Sequence, residues 1–344
     1  MHQEETVKVR EIDLKLVFAD VLKGYTKIRS EHLGENDLYI KHLNLFDNIQ
    51  TDRNYTDALA LAKRKELPTE EEQKEYLLKE NLWGEKQEKR LKELKNFITS
   101  LRATKSKMFL KSQIDLLKKE IEESEQELNA LTMEKAELIG FTAERYANKR
   151  SNEMYIQNAV YKDSQFKELA LDDDAFNHMS DQDLSELTSD YNEATLHVTL
   201  ENLKKISLMP FFCNYYYLCD DNPQIFYGKP VVDLTFFQAE LFAFGRYFKS
   251  IAQEAKASPP DDIRHDPDKL IEFYEMRKNA DEAMEKLEGK SGGKSGASSL
   301  VGATKDDLDA IGVKTGGPQT VNLSKLAKDK GGQLSMDDFV DLHG

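Results

Sequence analysis

Four groups of residues in this 344-residue chain have types that could do chemistry. Gly289-Lys290-Ser291-Gly292-Gly293-Lys294-Ser295 suggests a phosphate cradle, in which glycine-loop N–H groups and a lysine hold the anion. That cradle needs two glycines bracketing four residues before Lys-Ser, and a buried strand in front of it. Here the spacing is too short and a helical pattern precedes, so the segment reads as a linker. Residues 329–339 imitate the second half of a calcium loop. On that register Ala327 and Gly331 fall on ligand positions, leaving Asp329, Ser335 and Asp338. That is too few oxygens for a cation that takes six to eight. Cys213 and Cys219 have five residues between them, wider than a zinc pair and without a neighbouring His, and read as small buried apolar residues. His178 adjoins Asp172, Asp173 and Asp174 but reads as part of a solvated loop. No nucleophile elbow or dinucleotide glycine pattern occurs. The expectation is therefore a non-enzyme with no catalytic, cofactor-binding or metal-ligating residues and no cofactor. Carboxylates gathered from several helices into a metal-assisted site are the remaining enzymatic reading.

Composition points the same way. Hydrophobic residues make up 39% and charged residues 32%, against about 45–50% and a quarter in ordinary domains. No stretch approaches the ~18 apolar residues of a membrane span, so no membrane role is expected. No apolar segment behind a basic start marks a secretory signal. Two cysteines exclude a disulfide scaffold, and the setting expected is a reducing cytosol. Seventeen Phe and fourteen Tyr supply enough apolar mass for a core.

The net charge of -15 disfavours a nucleic-acid binder, but it conceals a local reversal. Residues 86–119 hold eleven Lys/Arg against three acidic residues. The stretch has two readings. It is a nucleic-acid surface, or it is the charged flank of a coiled coil that pairs with the acidic residues 120–127. Phe97 and Phe109 are its only aromatics, few for base stacking, and this favours the flank. Such asymmetry also suits an acidic partner or self-association between unlike segments.

The elements that would position these residues are mainly α-helical. Residues 1–84 read as an N-terminal helical segment, with Tyr39 to Leu43 open between strand and helix. Pro68 ends one helix, and Thr69 with Glu72 forms a capping box for the next. Residues 85–139 contain neither Pro nor Gly. Leu91, Leu94, Ile98 and Leu101, then Leu110, Ile114, Leu117, Ile121, Leu128, Leu131 and Leu138, alternate spacings of three and four, the seam of a coiled-coil arm. Ser124 and Lys135 are polar seam positions. The two rows are out of phase by two residues between Lys105 and Leu110. The arm is therefore either a hairpin or one long helix with a discontinuity.

Residues 140–288 read as an aromatic-rich helical body. Gly140 is a C-cap, Thr142 and Ser180 are N-caps, and a helical stripe runs from Leu184 through Leu200 to Ile206. Thirteen of the 31 Phe and Tyr fall within residues 211–248, and Phe211, Phe212, Tyr216, Phe226, Phe237, Phe242 and Tyr247 are the expected core. Thr235 with Gln238 forms another capping box, and Asp266-Pro267 opens a helix through Tyr274 to Leu287. Residues 289–299 form a Gly/Ser linker. Residues 300–344 form a C-terminal tail of short helices, flexibly attached and too small for a core of their own. It would dock through Leu300, Val301, Leu308, Leu323, Leu334, Phe339 and Val340.

Leu208-Met-Pro-Phe-Phe-Cys-Asn-Tyr-Tyr-Tyr-Leu, Phe226-Tyr-Gly-Lys-Pro and Leu234-Thr-Phe-Phe-Gln resemble structural proteins of tailed bacteriophages. Pro259-Pro-Asp-Asp-Ile, Asp266-Pro-Asp-Lys-Leu and Ser299-Leu-Val-Gly-Ala-Thr add to the likeness, which spans the last two-fifths of the chain. The resemblance implies a virion or tail-assembly component that works by protein–protein contacts. Its partners would be other subunits of a phage assembly, with self-association among the options. Its place would be the host cytoplasm during assembly, with the virion as a further option. No site residue is carried over from it.

Overall fold

The structure, a computed structural model, describes residues 11–29, 37–254, 258–261 and 263–290. It is mainly helical, with one small sheet. Helix α1 (Glu11–Lys23) leads into strands β1 (Tyr25–Arg29) and β2 (Asp37–Lys41). Helix α2 (Leu45–Arg64) opens on a cap in which the Asn44 side chain accepts the N–H groups of Phe46 and Asp47, while Asp47 accepts that of Asn44. Helix α3 (Glu70–Lys79) has the expected Thr69–Glu72 box. Next come α4 (Glu85–Lys105) and α5 (Lys111–Ile139). Gly140 then takes φ +68°, a left-handed turn that glycine enters without a Cβ penalty, and Thr142 caps α6 (Ala143–Ala159).

Strand β3 (Val160–Tyr161), α7 (Asp173–Asn177), α8 (Asp181–Thr195), α9 (Leu200–Ser207), α10 (Pro210–Tyr216) and α11 (Pro223–Tyr227) follow. A single 3₁₀ turn (Val231–Asp233), α12 (Phe236–Glu254) and α13 (Pro267–Lys290) complete the described chain.

The chain divides into two compact units that do not follow the sequence blocks. Among the described residues, the first takes 11–82 and 137–267, and the second takes 83–136 and 268–290. The N-terminal segment and the aromatic body, expected as separate domains, therefore share one unit. The reason lies in α1, whose Leu14, Val17, Phe18 and Val21 are buried in the same cluster as Leu203, Ile206, Phe212, Tyr216, Leu241 and Phe242. Phe212 and Tyr216 stack at 5.3 Å and 19°, and Phe18 meets Phe212 edge-on at 5.8 Å. Gly245 lies against this stack. A Cβ there would sit 2.8 Å from the Phe212 ring and 2.9 Å from that of Tyr216.

Of the expected core, Phe212, Tyr216 and Phe242 are buried, and Phe211, Phe226 and Phe237 pack partly buried around them. Tyr247 does not belong to it: the ring is 40% exposed on the outer side of α12.

The N-terminal segment is not purely helical either. β2 lies between β1 and β3, antiparallel to both, with Tyr25 opposite Lys41 and Ile40 opposite Val160. Leu38, Ile40 and Val160 turn inward onto Ile156 of α6 and Leu187 and Ala194 of α8, a second small core. The stripe from Leu184 to Ile206 is two helices, not one. Leu200, a member of that stripe, is exposed at the break with Leu196, and Thr199 caps α9 by accepting the Asn202 N–H.

One junction in this unit is polar inside. The Gln238 amide, fully buried, donates to the carbonyls of Val21 (2.8 Å) and Leu22 (3.1 Å), tying α12 to the end of α1. Beside it His42 is 2% exposed, with Nε2 3.0 Å from the Thr26 hydroxyl and its ring edge-on to Phe237. Its Nδ1 has no hydrogen-bond partner among the described residues.

Candidate functional site

The residues with the clearest functional pattern are those of α4 and α5, in the second unit. Residues 106–110 do not continue the helix. The Ser106 N–H still bonds the Arg102 carbonyl, but those of Lys107 and Met108 turn back three residues, and Leu110 offers its carbonyl to Gln113 and Ile114 to start α5. The two-residue phase slip between the apolar rows falls at this turn. The arm is thus a helical hairpin.

Its two helices meet where Ile98 and Leu101 of α4 join Ile121 of α5 in one buried cluster. Leu91, Leu94, Ile98 and Leu101 of α4 are buried, as are Leu110, Ile114 and Ile121. Leu117 and Leu128 pack partly buried on the cluster of Ile98, Leu101 and Ile121. Leu131 and Leu138, toward the end of α5, are half-buried. Ser124 satisfies its hydroxyl on the Glu120 carbonyl at 2.7 Å, which allows a polar group at a buried seam position. Lys135 pairs with Glu88, which also accepts the Nε1–H of the buried Trp83 at 2.9 Å.

The second unit contains a member that the apolar rows did not announce, helix α13. Its Leu270, Met276 and Ala280 are buried, and Lys118 of α5 pairs with Glu272. The Asn279 amide donates to the carbonyls of Ser106 (2.9 Å) and Met108 (3.0 Å), which are otherwise released by the end of α4. This contact fixes the hairpin turn. A cavity of about 330 Å³ lies beside it, lined by Met108, Ile114, Lys118, Glu272, Met276 and Asn279 among others. The lining mixes lysines and carboxylates with apolar side chains.

The flanks carry charge in an ordered way. Arg90 grips Glu127 with two bonds of 2.8 and 2.7 Å, and Arg102 reaches Glu125 at 2.6 Å. The Arg90 guanidinium holds the Glu127 carboxyl below its usual range. Basic α4 thus pairs with the acidic part of α5. The match is incomplete, however: Lys86, Lys92, Lys95, Lys105, Lys107 and Lys111 have no ion-pair partner among the described residues.

The other candidates lie apart from the arm and from one another. Cys219 is buried with its thiol directed at the Tyr216 carbonyl, and half-buried Cys213 faces that of Ser207. Burial pushes both thiols up, away from the reactive thiolate. Exposed His178 bonds the Asp174 carbonyl at 2.7 Å, Asp172 caps α7, and Asp173 accepts from Gln157 at 3.0 Å. Among the described residues, no three His, Cys, Asp or Glu gather to hold a metal ion, and no helix is long and apolar enough to cross a membrane. Gly289 and Lys290 end α13. The rest of the Gly/Ser segment, residues 329–339 and the tail residues Leu300, Val301, Leu308, Leu323, Leu334, Phe339 and Val340 lie outside the described residues.

Comparison with protein-family models, curated proteins and solved structures gives no match for this chain.

Proposed function

We propose that this chain is a non-enzymatic structural or assembly protein of a tailed-phage particle, working by protein–protein contacts. The hairpin of α4 and α5 acts as a short antiparallel coiled-coil arm, and residues 300–344 act as a docking tail. The observation that carries the reading is the arm itself. Ile98, Leu101 and Ile121 of its apolar rows are buried in one cluster, while its flank keeps lysines that have no ion-pair partner among the described residues. A charged, preorganised rod of this kind presents a recognition surface, with no enclosed reaction site that requires it. The phage setting rests on the sequence resemblance of the last two-fifths of the chain.

Mass spectrometry of particles and assembly intermediates, purified from cells that produce this chain, tests the reading. Recovery of the chain at fixed stoichiometry with other structural subunits is expected. Its absence from both fractions overturns the assignment.

A further inference from the structure

The first unit carries the electrostatic counterpart of the arm. From residue 168 to residue 203 there are ten Asp or Glu and no Lys or Arg. Phe176 of α7 and Leu187 and Ala194 of α8 anchor these helices inward, and Asp173, Asp174, Asp181, Asp183 and Glu193 are exposed. Some of these carboxylates are committed: Asp172 caps α7, Asp183 accepts from the N–H and hydroxyl of the α8 cap Ser180, Asp173 holds Gln157, and Glu168 and Glu201 pair with Lys162 and Lys205. Asp174, Asp181 and Glu193 are exposed and have no ion-pair partner among the described residues. Exposed Leu196 and Leu200 border the acidic run, and Phe97 and Leu116 are exposed on the arm.

We infer that the basic flank of the arm in one copy docks on the acidic α7–α8 face of a second copy. This names the partner within the protein–protein reading and rests on it. The complement to the unpaired lysines is present on the same chain, so the occupant is a further copy. The net charge of -15 does not forbid the contact. Repulsion between whole molecules is screened beyond about 8 Å at physiological salt, while opposed charges in contact still steer and orient. Exposed leucine and phenylalanine side chains supply apolar burial that charge alone does not. Because the two surfaces differ, the contact is head-to-tail, the geometry that closes into a ring or grows as a filament.

Sedimentation velocity of the purified full chain, over a range of concentration and salt, tests this. Association that weakens as salt rises is expected. Two charge-reversed proteins sharpen the test, one with Lys92, Lys95, Lys107 and Lys111→Glu, the other with Asp174, Asp181 and Glu193→Lys, each checked for a native far-UV spectrum. Either reversal alone should raise the dissociation constant at least about tenfold. Mixing the two should restore association, because each then meets an opposite surface. A chain that stays monomeric throughout, or association that neither reversal alters, overturns the inference. So does a monomer whose arm binds a short DNA duplex with steep salt dependence, since the lysines would then serve phosphates. The measurement uses the pure chain, so its failure leaves the particle assignment standing wherever mass spectrometry finds the chain in particles. Self-association by a chain missing from every particle would sink only the latter.

Discussion

His42 shows how a single side chain sets conditions on this fold. It is buried with only the Thr26 hydroxyl as partner, and desolvation, reinforced by the nearby Lys229 ammonium, pushes its pKa down to about 4. The folded state therefore holds a neutral ring, whereas the unfolded chain protonates near pH 6.5. Between these values the unfolded state binds more protons, so stability present above pH 6.5 is lost as pH falls toward 4. The loss attributable to this residue is on the order of 3 kcal/mol. Urea unfolding across that window should show the decline in the native chain, and His42→Gln should flatten it by a similar amount. An unchanged slope would place the acid sensitivity elsewhere. Gly245 makes a steric demand at the same scale. Its missing Cβ leaves room for two rings that are fully buried and cannot swing aside. Gly245→Ala gains helix propensity of roughly 1 kcal/mol. It should still destabilise by a net of about 1–3 kcal/mol from overpacking. Phe212→Leu in the same background should recover part of that, a coupling that a double-mutant cycle reads directly.

Helices α4 and α5 depend on each other for burial, so the hairpin should fail when its seam is charged. Ile114→Asp with Ile121→Asp places two carboxylates where the native side chains are 4% and 9% exposed. Unpaired buried charge is among the few causes of losses above about 4 kcal/mol. Far-UV signal should fall and protease should cut between α4 and α5, whereas Leu116→Asp, at a position 70% exposed, should change neither. The helical character of this stretch was legible in the sequence because an apolar period is a local signal, while the phase slip left a hairpin and one discontinuous helix both open. The strands were not. β1 and β2 are short and carry Lys27, Arg29, Asp37 and Lys41 among their apolar residues, and β3 has only two residues. The break between α8 and α9 was hidden because Leu200 was read into the stripe although it faces water; Thr199, a capping residue, was the available signal. The partnership of α13 with the hairpin is a tertiary fact. Asn279 and Ser106 are too far apart in sequence for any local pattern to join them. The acidic run on α7 and α8 was present in the composition, but only burial of Phe176 and Leu187 shows that it faces outward.

At the scale of the whole molecule, each unit closes its own core. The first rests on the aromatic cluster around Phe212 and the small sheet beneath α6 and α8. The second rests on the seam of α4 and α5 with α13. Cooperative unfolding follows shared burial, so separate cores license separate transitions. Calorimetry of the full chain should therefore resolve two endotherms, and substitutions should sort between them. Ile121→Asp is expected to lower one transition and leave the other in place, and Gly245→Ala should do the reverse. If both substitutions moved a single common transition, the chain would be one cooperative body, and the arm could not be loaded by a partner without straining the aromatic core. Two transitions mean that binding energy applied at the arm is confined to α4, α5 and α13. Under the proposed assembly role, that confinement would let the hairpin engage a neighbour without disturbing the first unit.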